Sequence, residues 1–416
     1  MMMKKLLFSS LFLLGSLVSQ AQHEYTIEGE VKGVKDGTHV SLFLTDGRVG
    51  SIVGTDTIRN GTFFFKRNVG ESGMDQLSLM CRDTDFPPMS LDIYATPGAK
   101  IKVTGTNPLI YTWRVDSPVK EQQEHNRFIE DSRDLWDEFQ RLAIKERSMR
   151  SASEAERKAL RTKSDSISSI INQRELKLMK ELPISNVWME KLLRLSMSLK
   201  YNSRFTNKEE ILALYDRLNE EQKASIEGQE IRVNLFPPKT VKEGDDMADA
   251  DLFDLDGKVH HLADFKGKYM LLDFWSSGCG PCIMALPEMK EIQEQYKDRL
   301  TIISLSSDTQ TRWKAASTQH EMTWQNLSDL KQTAGLYAVY DVNGIPNYVL
   351  ISPKGKIVKM WSGYGKGSLK LKMRRYLDAP KREMSITGDT NRKVVNYPSF
   401  ESTNTCLLYT SPSPRD

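Results

Sequence analysis

Residues 269–282 constrain the fold of this chain more than any other stretch, because an apolar run leads directly into two closely spaced cysteines. Residues 269–275 have the composition of a buried strand, and the small residues 276–278 favour a turn after it. Cys279 and Cys282 then follow three positions apart, which places both sulfurs on one face of a helical turn. This spacing allows the two cysteines to form or break a disulfide.

The start of the predicted helix is a special environment for a thiol. Its free N–H groups and the helix dipole favour negative charge, so we expect the pKa of the Cys279 thiol to be lowered. Pro281 stands in the first turn, where a residue without an N–H costs no helical hydrogen bond. The pattern therefore predicts a Cys279–Cys282 redox pair.

The segment resembles the active site of thioredoxin, because an apolar strand, a Trp, Cys-Gly-Pro-Cys and a helix follow in this order. Asp273 stands six residues before the first Cys, and Trp275 matches the packing and rim aromatic of the family. Residues 244–377 as a whole are similar to the TlpA/ResA branch of the thioredoxin superfamily, the envelope thiol-disulfide oxidoreductases. The resemblance covers roughly a third of the chain and implies a thioredoxin fold there.

The resemblance also implies a catalytic role for three residues. Cys279 would be the exposed nucleophile that attacks a client disulfide, and Cys282, one turn further in, would resolve the mixed disulfide. Asp273 would have its pKa raised by desolvation and would take the proton from Cys282. A structural Asp, paired with a Lys or a backbone group, is the alternative.

Residues 344–347, Gly-Ile-Pro-Asn, match a second motif of the family, a cis proline opposite the two cysteines. In this interpretation Ile345 offers its backbone N–H and C=O to a client strand, and Pro346 keeps them free. An ordinary turn with a trans bond is the alternative. The predicted substrate-binding residues are Trp275, Gly280, Pro281, Ile345 and Pro346.

The sequence departs from the family pattern at two positions. Gly278 stands where the family usually has Trp, so the client-docking surface should be flatter or more open. Ala285 stands where some ResA-like members carry Glu. We therefore expect Asp273 to be the only obvious internal carboxylate.

Three other functions are open to a chain with this motif. A zinc site needs two more ligands, and the nearby His260 and His261 would point to opposite faces of a strand, so no metal is predicted. A thioredoxin-fold peroxidase carries Pro-x-x-x-Thr-x-x-Cys, whereas Leu272 and Ser276 occupy those places. The third is a non-enzymatic module that binds a partner and carries an incidental Cys pair.

The Gly-Pro dipeptide between the cysteines is that of thioredoxin, whose potential is about −270 mV, against about −120 mV for the oxidant DsbA. It favours reduction of disulfides in envelope proteins, including cytochrome c apoproteins by family analogy. Electrons would come from a membrane donor of the DsbD type. No cofactor is predicted, and a net charge of +3 over 416 residues gives no electrostatic case for a nucleic-acid partner.

The N-terminus has the pattern of an export signal. Lys4 and Lys5 precede the apolar run 6–18, and residues 19–21 form a small-x-small cleavage site, which predicts a signal peptide over 1–21. The apolar run is short for a membrane span, although an uncleaved anchor remains the alternative. We expect a periplasmic protein if the source is Gram-negative.

Composition divides the rest of the chain and predicts a multidomain fold. Residues 22–117 contain short β-rich runs between turn signals such as Asn-Gly, which indicates an all-β, sandwich-like domain. Residues 118–236 have apolar positions at helical spacing and predict a helical region, with plain packing or a partner-binding groove as its role. Residues 237–250 are predicted to be a linker, and residues 251–380 an α/β thioredoxin fold.

The end of the chain is treated separately. Residues 381–405 are polar and predict a flexible tail, whereas residues 406–416 read like a translated sequencing adapter and are predicted to be an artefact, together with Cys406. Cys81 lies in a strand-like run, where we interpret it as a small buried apolar residue. A redox partner for the Cys pair is the alternative for Cys81.

Overall fold

The computed structural model describes residues 23–378 apart from 47–48, 71, 150–152 and 203, together with residues 406–407. The predicted signal peptide, the flexible tail and most of the predicted artefact lie outside the described residues. The chain divides into two compact units, the first ending at Leu235 and the second beginning at Phe236. Across the described part of the chain, no helix has both the length and the apolar character needed to cross a membrane.

The N-terminal unit begins with short strands. They are β1 (Glu24–Val31), β2 (His39–Asp46), β3 (Val49–Thr57), β4 (Thr62–Asn68), β5 (Asp75–Cys81), β6 (Leu91–Ala95), β7 (Lys100–Gly105) and β8 (Arg114–Asp116). They form two four-stranded sheets, in the orders β4-β1-β7-β8 and β3-β2-β5-β6. Burial alternates along β1 and β5, because successive side chains of a strand point to opposite faces.

The predicted Asn-Gly turn joins β3 to β4. Asn60 and Gly61 have φ angles of 52° and 71°, and Arg59 and Thr62 on either side exchange two backbone hydrogen bonds of 3.1 and 3.0 Å. Positive φ at both central residues defines the type I′ turn that suits the twist of paired strands. The Asn-Gly pair therefore predicted this turn correctly.

The helical region follows the strands. Its helices are α1 (Lys120–Asp131), α2 (Arg133–Ser148), α3 (Glu154–Glu181), α4 (Asn186–Tyr201), α5 (Lys208–Asp216), α6 (Glu220–Ala224) and α7 (Ile226–Leu235). The longest, α3, begins with a capping box, in which Ser153 and Glu156 each bind the other's backbone N–H. These two bonds satisfy donors that a helix start otherwise leaves free.

The strands and helices of this unit share one hydrophobic core, which contradicts the predicted boundary between residues 117 and 118. Phe128 and Trp188, from α1 and α4, are fully buried in the same cluster as Ile27 and Leu77 from the sheets. The side chain of Gln122 also accepts the backbone N–H of Tyr94 (2.8 Å). The helices cover apolar strand faces, so the two regions form one unit.

The C-terminal unit has the predicted thioredoxin fold. Its strands are β9 (Leu252–Phe253), β10 (Val259–His260), β11 (Tyr269–Trp275), β12 (Leu300–Ser306), β13 (Gln325–Leu327), β14 (Gly344–Ile345), β15 (Asn347–Ile351), β16 (Ile357–Ser362) and β17 (Cys406–Leu407). Its helices are α8 (Gly280–Tyr296), α9 (Gln310–Gln319), α10 (Leu336–Val339) and α11 (Ser368–Leu377). Among the described residues, 3-10 helices occur at Ile110–Thr112 in the N-terminal unit and at Leu262–Phe265 in the C-terminal unit.

The main sheet of this unit has the order β13-β12-β11-β15-β16. β11 is central, parallel to β12 and antiparallel to β15. Six of its seven residues are fully buried because both faces of the sheet are covered. The site residues therefore lie where β11 ends, between the strands that flank it.

Residues 237–250 do not form the predicted linker. Gly244 donates its N–H to the carbonyl of Ile357 (2.9 Å), and the N–H of Ile357 donates to Asp245 (2.9 Å). Met247 donates to the β15–β16 turn, and its side chain packs against the core of the unit. Polar composition had suggested a free segment, but its backbone extends the edge of the sheet at β16.

We expect residues 237–250 to stabilise the C-terminal unit. A fragment of residues 251–378 should have a lower free energy of unfolding than one of residues 237–378, by about 3 kcal/mol, since each backbone hydrogen bond contributes about 1 kcal/mol net. Urea denaturation of both fragments measures the difference. Equal midpoints would contradict a structural role for this segment.

Candidate active site

The two cysteines of the motif form a disulfide, with their Cα atoms 5.2 Å apart. Cys279 is the N-cap of α8, and its Sγ accepts the backbone N–H of Cys282 (3.2 Å). Pro281 occupies the first turn of α8, as predicted. The turn between β11 and α8 thus places both sulfurs at the positive end of a 17-residue helix.

This position distinguishes the two sulfurs chemically. Once the disulfide is reduced, the Sγ of Cys279 keeps an N–H donor and the field of the helix, and both favour a thiolate. Cys282 lies inside the first turn, and its backbone N–H is the donor to the Sγ of Cys279. No such N–H donor to the Sγ of Cys282 itself is described. The geometry therefore favours Cys279 as the thiol that ionises first.

The prediction that Cys279 is exposed is wrong for the disulfide form. Its relative exposure is 0%, and that of Cys282 is 2%. Cys279, bonded to Cys282, belongs to the buried apolar cluster that contains Trp275 and Ile345. Gly278 and Gly280, on either side of Cys279, are exposed, and Pro281 is partly exposed.

Trp275 is likewise a core residue and not a rim aromatic. Its side chain is fully buried, and its indole nitrogen has no hydrogen-bond partner among the described residues. Its carbonyl lies 2.8 Å from the hydroxyl of Tyr337, which is also 2.8 Å from the carbonyl of Leu305. Trp275 therefore supports the site through packing and its backbone.

Asp273 lies in the middle of β11 with an exposure of 1%. Burial raises the pKa of its carboxyl to about 7, and a hydrogen bond from the hydroxyl of Ser304 (2.7 Å) opposes part of that rise. Neither a Lys nor a backbone group is a described partner of this carboxyl, so the structural alternative in that form does not apply. A carboxyl with this pKa exchanges protons near neutral pH.

Asp273 is not the only internal carboxylate, contrary to the prediction. Glu288 is buried on α8 and accepts hydrogen bonds from the hydroxyl of Tyr364 and from two N–H groups at the start of α11. Asp308 is buried beside the active-site turn and accepts the N–H of Ser277 (2.7 Å). Both carboxylates accept backbone N–H groups of another segment, which residue composition does not reveal.

Sequence reasoning missed four residues around the site: Ser304, Asp308, Trp324 and Tyr337. One signal was available for Asp308, which follows β12 directly. The carboxyl ends of neighbouring parallel strands meet at one edge of a sheet, so a polar residue after β12 should approach the turn after β11. Tyr337 comes from α10, which is distant in sequence, and carries no such signal.

The second motif has the predicted geometry, because the Ile345–Pro346 peptide bond is cis. Ile345 lies in the same buried cluster as both cysteines, so the fold brings the two motifs together. The backbone of β14 pairs antiparallel with β17, with Ile345 opposite Cys406.

The remaining candidates are His260 and His261 of the C-terminal unit and Cys81 of the N-terminal unit. The Nε2 of His260 is 2.8 Å from Asp254 across the β9–β10 hairpin, and His261 is not part of that contact. No group of three or more His, Cys, Asp or Glu is placed to hold a metal ion in residues 23–378 as described. Cys81 is buried in β5 as a free thiol, and burial raises its pKa to about 12.

The fold and the disulfide at the start of α8 define a thioredoxin-fold protein of the redox-active class. A family model described as the AhpC/TSA family matches residues 244–360. The chain is 31% identical over 121 residues to the thioredoxin-like protein YneN of Bacillus subtilis (strain 168), an alignment covering 28% of this chain and 69% of that protein.

The chain is also 32% identical over 139 residues to the thiol-disulfide oxidoreductase ResA of Geobacillus thermodenitrificans (strain NG80-2), covering 33% of this chain and 79% of ResA. A solved thioredoxin domain of a thiol-disulfide oxidoreductase from Bacteroides vulgatus is 28% identical and covers 32% of this chain and 97% of that domain, with a TM-score of 0.30.

The chain belongs to the thioredoxin-like family of thiol-disulfide oxidoreductases that includes ResA, and it is a thiol-disulfide oxidoreductase. The relatives named above cover a third of this chain or less.

Proposed function

We propose that this protein is exported and reduces disulfides of envelope proteins with the dithiol of Cys279 and Cys282. The observation that carries this proposal is the disulfide at the N-cap of α8, where the Sγ of Cys279 accepts a helix N–H. The charged and apolar pattern of residues 1–21 supports export. Envelope proteins are the disulfide-containing clients that an exported reductase meets.

The reaction proceeds in two exchanges. The Cys279 thiolate attacks one sulfur of the client disulfide; that S–S bond breaks, one client thiolate leaves, and a mixed disulfide forms. Asp273 then takes the proton from Cys282, whose thiolate attacks the sulfur of Cys279 and releases the second client thiolate. Two electrons pass from the dithiol to the client, and the Cys279–Cys282 disulfide remains.

The oxidised protein must be reduced again for a new cycle. Exchange with an external dithiol restores both thiols and leaves the donor as a disulfide. For an exported protein this donor has to deliver electrons across the membrane, so a membrane protein of the DsbD type is the proposed partner. No cofactor or nucleic acid takes part in this scheme.

Client docking uses the edge next to the disulfide. The position of Ile345 in the same buried cluster as both cysteines supports strand addition there, because a client strand paired with its backbone would lie next to the disulfide. Gly280 and Pro281 lie on the solvent side of the motif, and Pro346 adjoins the docking edge. Trp275 is buried and does not contact the client. It contributes only by holding the turn between β11 and α8 in place.

The direction of exchange is tested by the reduction potential. The Gly-Pro dipeptide motivates a potential nearer that of thioredoxin, about −270 mV, than that of DsbA, about −120 mV. Equilibration of the protein in glutathione buffers, read out as the fraction of oxidised Cys279–Cys282, measures it. A potential above about −180 mV, the value of protein disulfide isomerase, would rule out the reductase assignment.

A further inference from the structure

A chain of three buried polar side chains crosses the sheet beside the active-site helix. The indole N–H of Trp324 donates to the Oγ of Ser304 (2.8 Å), and the hydroxyl of Ser304 donates to the Oδ2 of Asp273 (2.7 Å). Ser304 is fully buried, and the exposures of Asp273 and Trp324 are 1% and 7%. The chain therefore operates largely shielded from solvent, where hydrogen bonds are strong.

The direction of these hydrogen bonds is fixed by chemistry. An indole nitrogen only donates, so the Trp324 bond occupies an acceptor site of the Ser304 oxygen. The single proton of that hydroxyl is then available for the one other described partner, which is Asp273. Oδ2 of Asp273 is held as an acceptor, and proton exchange is left to Oδ1.

The sheet itself sets this arrangement. β11 and β12 pair in a register that places Ser304 directly opposite Asp273. In the pairing of β12 with β13, Asn326 lies opposite Ser304, and Trp324 immediately precedes β13. The strand register thus places the hydroxyl beside the carboxyl, and the indole of the residue before β13 reaches that hydroxyl.

We propose that Ser304 and Trp324 are positioning residues that hold Asp273 with Oδ2 engaged and Oδ1 directed to proton exchange with Cys282. This inference rests on the proposed role of Asp273 as the base. The titratable groups of other elements that interact with Asp273 are Tyr348, its partner on β15, and Tyr337 on α10. Tyr348 in turn interacts with Tyr364 and with the buried Glu288 of α8. Burial raises the pKa of Tyr348 and Tyr337 well above the ordinary value, so they stay neutral while Asp273 titrates.

The test is an infrared pH titration of the Asp273 carboxyl in the full chain, with the band assigned by its loss in Asp273→Asn. Ser304→Ala removes a donor to the ionised carboxyl, so the Asp273 titration should move to higher pH by on the order of 1 unit. Ser304→Thr keeps the hydroxyl and should titrate like the wild type. Trp324→Phe should give a smaller shift in the same direction.

The double variant Ser304→Ala/Trp324→Phe makes the test robust, because it leaves no indole N–H without an acceptor and guards against misfolding of Ser304→Ala. It should shift the titration as far as Ser304→Ala alone, since Trp324 acts only through Ser304. The matched control is Ser196→Ala in the other unit, a buried serine that also accepts from one side chain and donates to a carbonyl. This control should leave the Asp273 titration unchanged.

An Asp273 carboxyl that titrates at the wild-type pH in a folded Ser304→Ala or double variant would overturn the inference. The pH dependence of the resolution step, followed by stopped flow in the same variants, separates the two claims. A rate profile that moves with the carboxyl supports both. If the carboxyl titration shifts but the rate profile does not, Ser304 positions Asp273 as inferred. In that case Asp273 is not the base that takes the proton of Cys282, and that part of the proposed function is wrong.

Discussion

Replacing Cys279 by Ser should abolish reduction of a disulfide client, whereas replacing Cys282 by Ser should stop the reaction at a covalent client adduct. Cys279 supplies the thiolate that attacks first, because its Sγ is the N-cap acceptor of α8. Without Cys282 nothing displaces the client from the mixed disulfide. Turnover is lost in both variants, but only Cys282→Ser retains the client.

The measurement is insulin reduction with a dithiol donor, followed by non-reducing gels that detect trapped client. Cys81→Ser is the matched control, since the buried Cys81 thiol has its pKa raised to about 12 and carries almost no thiolate at neutral pH. It should turn over at the wild-type rate. Client trapped by Cys279→Ser instead would reverse the assignment of the two cysteines.

Asp273→Asn should slow the release of client by roughly 10²–10³-fold and leave the first attack unchanged. The Asn side chain keeps the shape of Asp273 and removes its ability to accept the proton of Cys282. Stopped-flow reduction of a client with the two exchanges resolved measures both rates. An unchanged release rate would mean that water or another group carries this proton.

The same substitution should alter how stability depends on pH. Burial raises the pKa of Asp273 from 3.8 to about 7, so the folded protein holds this proton more tightly than the unfolded chain does. Wild-type stability should therefore fall as the pH rises between these two values and stay lower above them. Asp273→Asn has no such titration. Its free energy of unfolding relative to the wild type should therefore rise by up to about 4 kcal/mol between low and high pH, since one pKa unit equals about 1.4 kcal/mol.

Urea denaturation of both proteins at about pH 4 and about pH 8.5, on either side of the titration, measures this difference. The comparison uses the change in stability between the two pH values, so a constant cost of burying the Asn amide cancels. A wild-type protein that loses no stability relative to Asp273→Asn at the higher pH would show that the carboxyl is not desolvated.

Local patterns predicted the parts of the site that neighbours in sequence determine. The disulfide follows from the spacing of Cys279 and Cys282, and the cis bond from the motif at Pro346. The raised pKa of Asp273 follows from the apolar residues beside it. Each of these depends on a few adjacent residues and on strand or helix periodicity.

Features that depend on register or distant packing were not predictable. Ser304 meets Asp273 only through the pairing of β11 with β12, and no pattern in either strand specifies that register. The burial of Cys279 in one cluster with Ile345 joins residues that are far apart in sequence. Residues 244–247 bond to β16 and the turn before it through backbone groups, and residue composition gives no sign of such bonds.

The common core of the strands and helices before Leu235 limits how this protein could have been assembled by recombination. Trp188 and Phe128 fill space that the sheets leave open, so the strands alone would present a large apolar surface to water. A gene fusion that transferred only residues 22–117 would move half of a cooperative unit. The piece that can be transferred is the whole of the chain before Phe236. Because the strands and helices share one core, we expect them to be inherited together.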